Sequence, residues 1–145
     1  MRKNIILMVA GAVLLSSSAA FALTATDAFQ ATVTITSNCI IVANDLNFGT
    51  LGVIAGTETA TSNVAVTCTN GTAYNLSFSG LVGGVTDSGL MVNGGEDVAY
   101  NVALSSAGGI GTGSVVNSSI LGSLPVQSTP TPGVYTVADS LSVIY

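Results

Sequence analysis

From residue 23 to residue 36 the chain alternates. Odd positions read Leu, Ala, Asp, Phe, Ala, Val and Ile, and even positions read Thr, Thr, Ala, Gln, Thr, Thr and Thr. A period of two sorts side chains onto the two faces of a β-strand, and no helix sustains such a pattern. Asp27 is the single break on the apolar face. At ~3.3 Å per residue the run would reach about 40 Å, longer than a strand of a small sandwich, so it reads as two strand-like pieces.

The same signal recurs along the chain. Residues 46–48 form a short run ending at Gly49, and residues 63–69 set Val64, Val66 and Cys68 on one face. Asn70-Gly71 predicts a tight turn into residues 73–79, where Tyr74, Leu76 and Phe78 share a face, and so a hairpin. Residues 98–104, a weaker run at 115–124 and the stretch 134–145 follow; in the last, Tyr135, Val137, Leu141, Val143 and Tyr145 are in phase and Asp139 is not. Residues 80–89, 108–113 and 127–133 are rich in Gly, Ser or Pro and read as loops. Short strands at this spacing predict one all-β sandwich domain.

Residues 1–22 have the parts of a secretory signal peptide. Arg2 and Lys3 supply the positive start, residues 5–15 the apolar run, and Ala20-Phe21-Ala22 the cleavage site. The run falls short of the ~20 residues that cross a bilayer, so no membrane insertion of the mature chain is expected. Cleavage leaves a chain that begins at Leu23 and has no Lys, Arg, His or Trp.

That composition excludes much chemistry. The ionisable acids are Asp27, Asp45, Glu58, Asp87, Glu96, Asp97 and Asp139, a mature side-chain charge of about −7. Nothing neutralises nucleic-acid phosphates or an anionic membrane. No His activates a serine or threonine as nucleophile. The cluster Gly108-Gly109-Ile110-Gly111-Thr112-Gly113 lacks the Lys of a phosphate-cradling loop and reads as a flexible loop. Glu96-Asp97 is the one adjacent acid pair, but neighbours on a strand face opposite sides, which weakens a shared acid/base site. The even cysteine count of an exported chain, Cys39 and Cys68, predicts a structural disulfide. With no His or third Cys, a metal site is not expected. The chain is read as a non-enzyme with no catalytic residue, no cofactor and no metal.

Both ends of the mature chain carry strand patterns, although chain ends are ordinarily frayed. Either the two termini pair within one molecule, or residues 23–28 are spare and add as a strand to a neighbouring molecule.

Five segments taken in order resemble a known family. They are residues 29–39, Leu46-Asn47-Phe48-Gly49, Val66-Thr67-Cys68-Thr69-Asn70-Gly71, Gly133-Val134-Tyr135 and Leu141-Ser142-Val143-Ile144-Tyr145. The family is the spore coat protein U domain, which includes the pilins of archaic chaperone–usher pili. The likeness is weakest over residues 80–95 and 108–116. It implies an incomplete immunoglobulin-like β-sandwich, completed by a donor strand from a neighbouring subunit. On that resemblance residues 23–28 form the donor extension and 29–145 the pilin domain. Leu23, Ala25 and Phe29 are the donor side chains; Phe48, Leu141, Val143 and Tyr145 line or flank the acceptor groove. The implied partners are identical or related pilin subunits, a periplasmic chaperone and an outer-membrane usher. The implied location is the periplasm during assembly, then the cell surface. The implied role is a structural pilus subunit that supports adhesion and biofilm formation. The alternatives are a secreted spore-coat or extracellular matrix protein of the same fold, and a carbohydrate-binding adhesin module.

Overall fold

A computed structural model of the chain describes residues 23–80 and 82–145; the expected signal peptide lies outside the described residues. The chain divides into two units at residues 33 and 34. The described part of the first, residues 23–33, holds no helix or strand, and its Leu23, Phe29 and Val33 are 97%, 91% and 81% exposed. The second unit, Thr34–Tyr145, carries every strand among the described residues. They are β1 (Cys39–Ala43), β2 (Glu58–Cys68), β3 (Ala73–Ser77), β4 (Thr86–Asn93), β5 (Glu96–Leu104), β6 (Gly108–Ile110), β7 (Val115–Leu124) and β8 (Ser142–Ile144).

These strands make two antiparallel sheets, one of five in the order β1-β2-β7-β5-β4 and one of three in the order β6-β3-β8. The fold is an all-β, immunoglobulin-like sandwich that lacks a strand. Alternation explains which residues point inward. Val64, Val66 and Cys68 of β2, Val98, Tyr100 and Val102 of β5, and Ile120 and Leu124 of β7 are buried, as are Tyr74 and Leu76 of β3. Each fully buried aliphatic side chain of this kind contributes ~1.5–3 kcal/mol.

Cys39 and Cys68 are bonded, and they are also directly opposite each other in the β1–β2 register. The bridge therefore ties two neighbouring strands of one sheet. With its ends 29 positions apart in the chain, it removes chain entropy from the unfolded state equivalent to about 3–4 kcal/mol.

Several expectations are corrected. Asn70-Gly71 does make a turn: the Thr72 amide donates to the Thr69 carbonyl at 3.0 Å, and Gly71 has φ +82°. It makes no hairpin, because β2 and β3 belong to different sheets. The turn's backbone instead pairs with Gly111, whose carbonyl accepts from the Gly71 amide at 2.8 Å and whose amide donates to the Thr72 carbonyl at 2.7 Å. The supposed loop at 108–113 contains β6, paired with β3. Its glycines serve close approach: a Cβ on Gly108 would strike the Tyr74 carbonyl, and one on Gly111 the Thr69 carbonyl and the Cys68 side chain.

The stretch read as a loop at 80–89 includes the start of β4, hidden by Asp87, Ser88 and Gly89 on an edge strand that tolerates polar residues. The hairpin signal was present next door. Gly94 and Gly95, at φ +59° and +99°, form a two-residue loop between the paired Asn93 and Glu96, and two successive positive φ values match the twist of the flanking strands.

Residues 23–36 and 46–48, both read as strand-like, form no strand. Alternation specifies a strand only where an edge pairs with it. For the same reason the stretch 134–145 shrinks to β8 and a bridge between Val92 and Thr136. The reading in which the two termini pair therefore has no strand on its N-terminal side.

Candidate functional site

Three strands cannot cover five. Part of the inner face of the large sheet lies under an open groove of about 1110 Å³, floored by Met91, Val98, Tyr100, Val102, Ile120 and Leu124. Residues 43–52 form one lip and residues 129–141 the other. Leu141, on the second lip, leads directly into β8, which is the edge strand of its sheet among the described residues.

Loop hydrogen bonds hold the first lip. The Asn44 amide donates to the Asn63 carbonyl at 3.0 Å, Ser62 Oγ donates to the Asn44 carbonyl at 2.6 Å, and the Gly49 amide donates to Asn47 Oδ1 at 2.7 Å. Leu46 and Phe48 reach over Gly122 of β7. A Cβ there would come within 2.8 Å of Phe48 Cζ and still closer to Leu46. Glycine at this position lets the lip lie flat against the sheet.

Carboxylates anchor the second lip. Glu96, beside the β4–β5 turn, accepts from the Thr131 amide at 2.6 Å and from Thr131 Oγ1 at 2.8 Å. Tyr135 OH lies 3.2 Å from the same carboxylate oxygen and 2.8 Å from the Thr131 carbonyl, either of which accepts its proton. The Thr131 amide, then its hydroxyl, hold the Glu96 carboxyl below the usual carboxylate range. Further along, Tyr100 OH donates to Asp139 Oδ2 at 3.0 Å. Burial first, then that hydrogen bond, push the Tyr100 hydroxyl up to about 12. The two lips meet where the Ile54 amide donates to Thr129 Oγ1 at 2.8 Å.

The expected site residues separate into three places. Phe48 and Leu141 line the groove, half-buried. Val143 is opposite Leu76 in the β3–β8 register and packs on the core. Tyr145 is 57% exposed, and its hydroxyl donates to Asn38 Oδ1 at 3.1 Å. Leu23, Ala25 and Phe29 all lie in the exposed N-terminal unit. Sequence reasoning missed Glu96, Tyr100 and Gly122 as parts of the site. Asp139, the one residue out of phase in 134–145, was the visible hint to a polar contact there.

Chemically the groove is an apolar trough with acidic rims, and no cluster of metal-ligating side chains occurs among the described residues. It suits an extended apolar peptide, which sends alternate side chains to the floor and pairs its backbone with a free strand edge.

The family model of the Spore Coat Protein U domain (SCPU) matches residues 25–143. The chain belongs to that family. SCPU domains are structural, pilin-like and surface-associated, and the family is not one of enzymes. The match takes in the exposed N-terminal segment as well as the sandwich. No curated protein matches the chain. Among the described residues no helix is long and apolar enough to cross a membrane.

Proposed function

We propose that this SCPU domain is a structural subunit of a chaperone–usher surface pilus, polymerising by donor-strand complementation and supporting adhesion and biofilm formation. One observation carries the reading. The chain has an open apolar groove whose lining runs to Leu141, the residue before β8, an edge strand among the described residues, and its own alternating segment, residues 23–36, belongs to no strand.

An uncovered groove of this kind invites aggregation. A periplasmic chaperone fills it first, and at the outer-membrane usher the N-terminal extension of the next subunit takes its place. The donor side chains expected from sequence, Leu23, Ala25 and Phe29, are all exposed, and Phe29 heads the uncharged part of the alternating segment beyond Asp27; Phe48 and Leu141 line the groove. Each Leu or Phe inserted contributes ~1.5–3 kcal/mol. Each backbone hydrogen bond along the strand edge adds ~1 kcal/mol, so a strand once inserted leaves slowly.

The test is gentle heating, in detergent, of material sheared from the surface of cells that express the full chain. A ladder of non-covalent multimers is expected, and deletion of residues 23–37 should remove it. Monomer alone, released from intact fibres under the same conditions, would sink the proposal.

A further inference from the structure

We propose that Asp27 sets the register of the inserted strand: residues 29–35 of one copy fill the groove of another, with Phe29, Ala31, Val33 and Ile35 pointing to the floor and Leu23 and Ala25 left outside. The inference rests on the strand-exchange reading of the groove and names the segment that occupies it.

Length makes a choice necessary. The inward floor positions on β5 are Val98, Tyr100 and Val102, about 13 Å from first to last at ~3.3 Å per residue. An inserted strand lowers one side chain for every two residues, so three or four cover that floor. The seven odd positions from Leu23 to Ile35 extend over about 40 Å. Only part of the segment enters.

Alternation alone does not say which part, because a slip of two residues keeps the same face inward. Charge decides. Asp27 is the single ionisable residue on the alternating face, and no Lys, Arg or His follows Lys3 to neutralise it. The groove's own acidic side chains include Asp45 and Asp139, both on its lips, and Tyr100 OH already donates to Asp139. A carboxylate lowered onto Met91, Val98 or Leu124 would lose its water and gain no cation, a placement that costs far more than it returns. Registers that bring Asp27 over the floor are therefore excluded, which is specificity by penalty on the alternatives. N-terminal to Asp27 the face offers only Leu23 and Ala25; C-terminal to it stand four uncharged positions.

The exposure pattern agrees. Residues 29–38 belong to no strand, and Phe29, Val33 and Ile35 are 91%, 81% and 76% exposed. The sandwich leaves these side chains unused.

Two full-length variants, Val33→Asp and Leu23→Asp, separate the registers. Both residues are exposed, so each variant should form its disulfide and reach wild-type monomer yield, which non-reducing mass measurement checks. The expected result is loss of the detergent-resistant ladder for Val33→Asp and an unchanged ladder for Leu23→Asp. The reverse pattern, or loss in both, overturns the register. A ladder retained by both rejects strand exchange itself. In wild-type fibres, amide hydrogen exchange should find residues 29–35 protected and 23–27 exchanging freely; protection of the latter overturns the proposal. Asp27→Leu should spread protection into residues 23–28, and an unaltered pattern would remove Asp27 from its assigned role.

Discussion

β2 and β7 are paired from Glu58↔Leu124 to Thr67↔Val115, whereas β8 is paired only at Ser142, Val143 and Ile144, and on one side. Both regions are apolar and alternating in sequence. What separates them is the supply of partners: the β2–β7 ladder is completed within the chain, and the edge at β8 is not. In an SCPU domain, then, a strand pattern marks capacity for pairing, and topology decides whether one molecule can use it.

The largest effect that would sharpen this contrast is at the closed side. Cys39→Ser should lower unfolding free energy by about 3–4 kcal/mol, read from urea denaturation, with the open groove unaffected. A negligible shift would mean that the β1–β2 ladder alone carries that flank.

At the open side a smaller effect is expected from Gly122→Ala. The added methyl meets Leu46 and Phe48, so the first lip must lift, at a cost of about 1–3 kcal/mol typical of overpacking. Thermal unfolding measures the cost, and altered side-chain NMR shifts of Phe48 would locate it. Unchanged shifts would show that the lip does not rest on β7.

The least change in global stability is expected at Glu96, which is exposed. Its pKa is lowered in the fold. Its support of the second lip is therefore present above the ordinary carboxylate pKa and lost as pH falls through the lower, folded value. The Thr131 amide NMR signal should follow that titration, and Glu96→Gln should abolish the pH dependence. A Thr131 signal that titrates equally in the variant would assign the lip to another group.

Much of the architecture was legible in residue order. β2 and β5 announce themselves through Val64-x-Val66-x-Cys68 and Val98-x-Tyr100-x-Val102, because buried faces leave a period of two, and β7 shows more weakly in the run from Val115. The cysteine pair was equally plain. What stayed hidden depended on partners distant in the chain. β4 carries polar residues because it is an edge, β6 consists largely of glycine because it presses against Tyr74, and Asn70-Gly71 turns between sheets rather than within one. The site was half visible. Phe48 and Leu141 followed from the family resemblance, but Glu96 acts through Thr131 and Tyr135, 35 and 39 residues away, and no local pattern encodes such a contact.

The bridge between Cys39 and Cys68 has a mechanical consequence. Cys39 is the first residue of β1, so tension applied through the preceding segment enters the sandwich at a covalent link to β2. The load passes straight to Cys68 at the end of β2, next to the Thr67↔Val115 end of the β2–β7 ladder, and the hydrogen bonds of β1 beyond Cys39 are shielded from being peeled apart one by one.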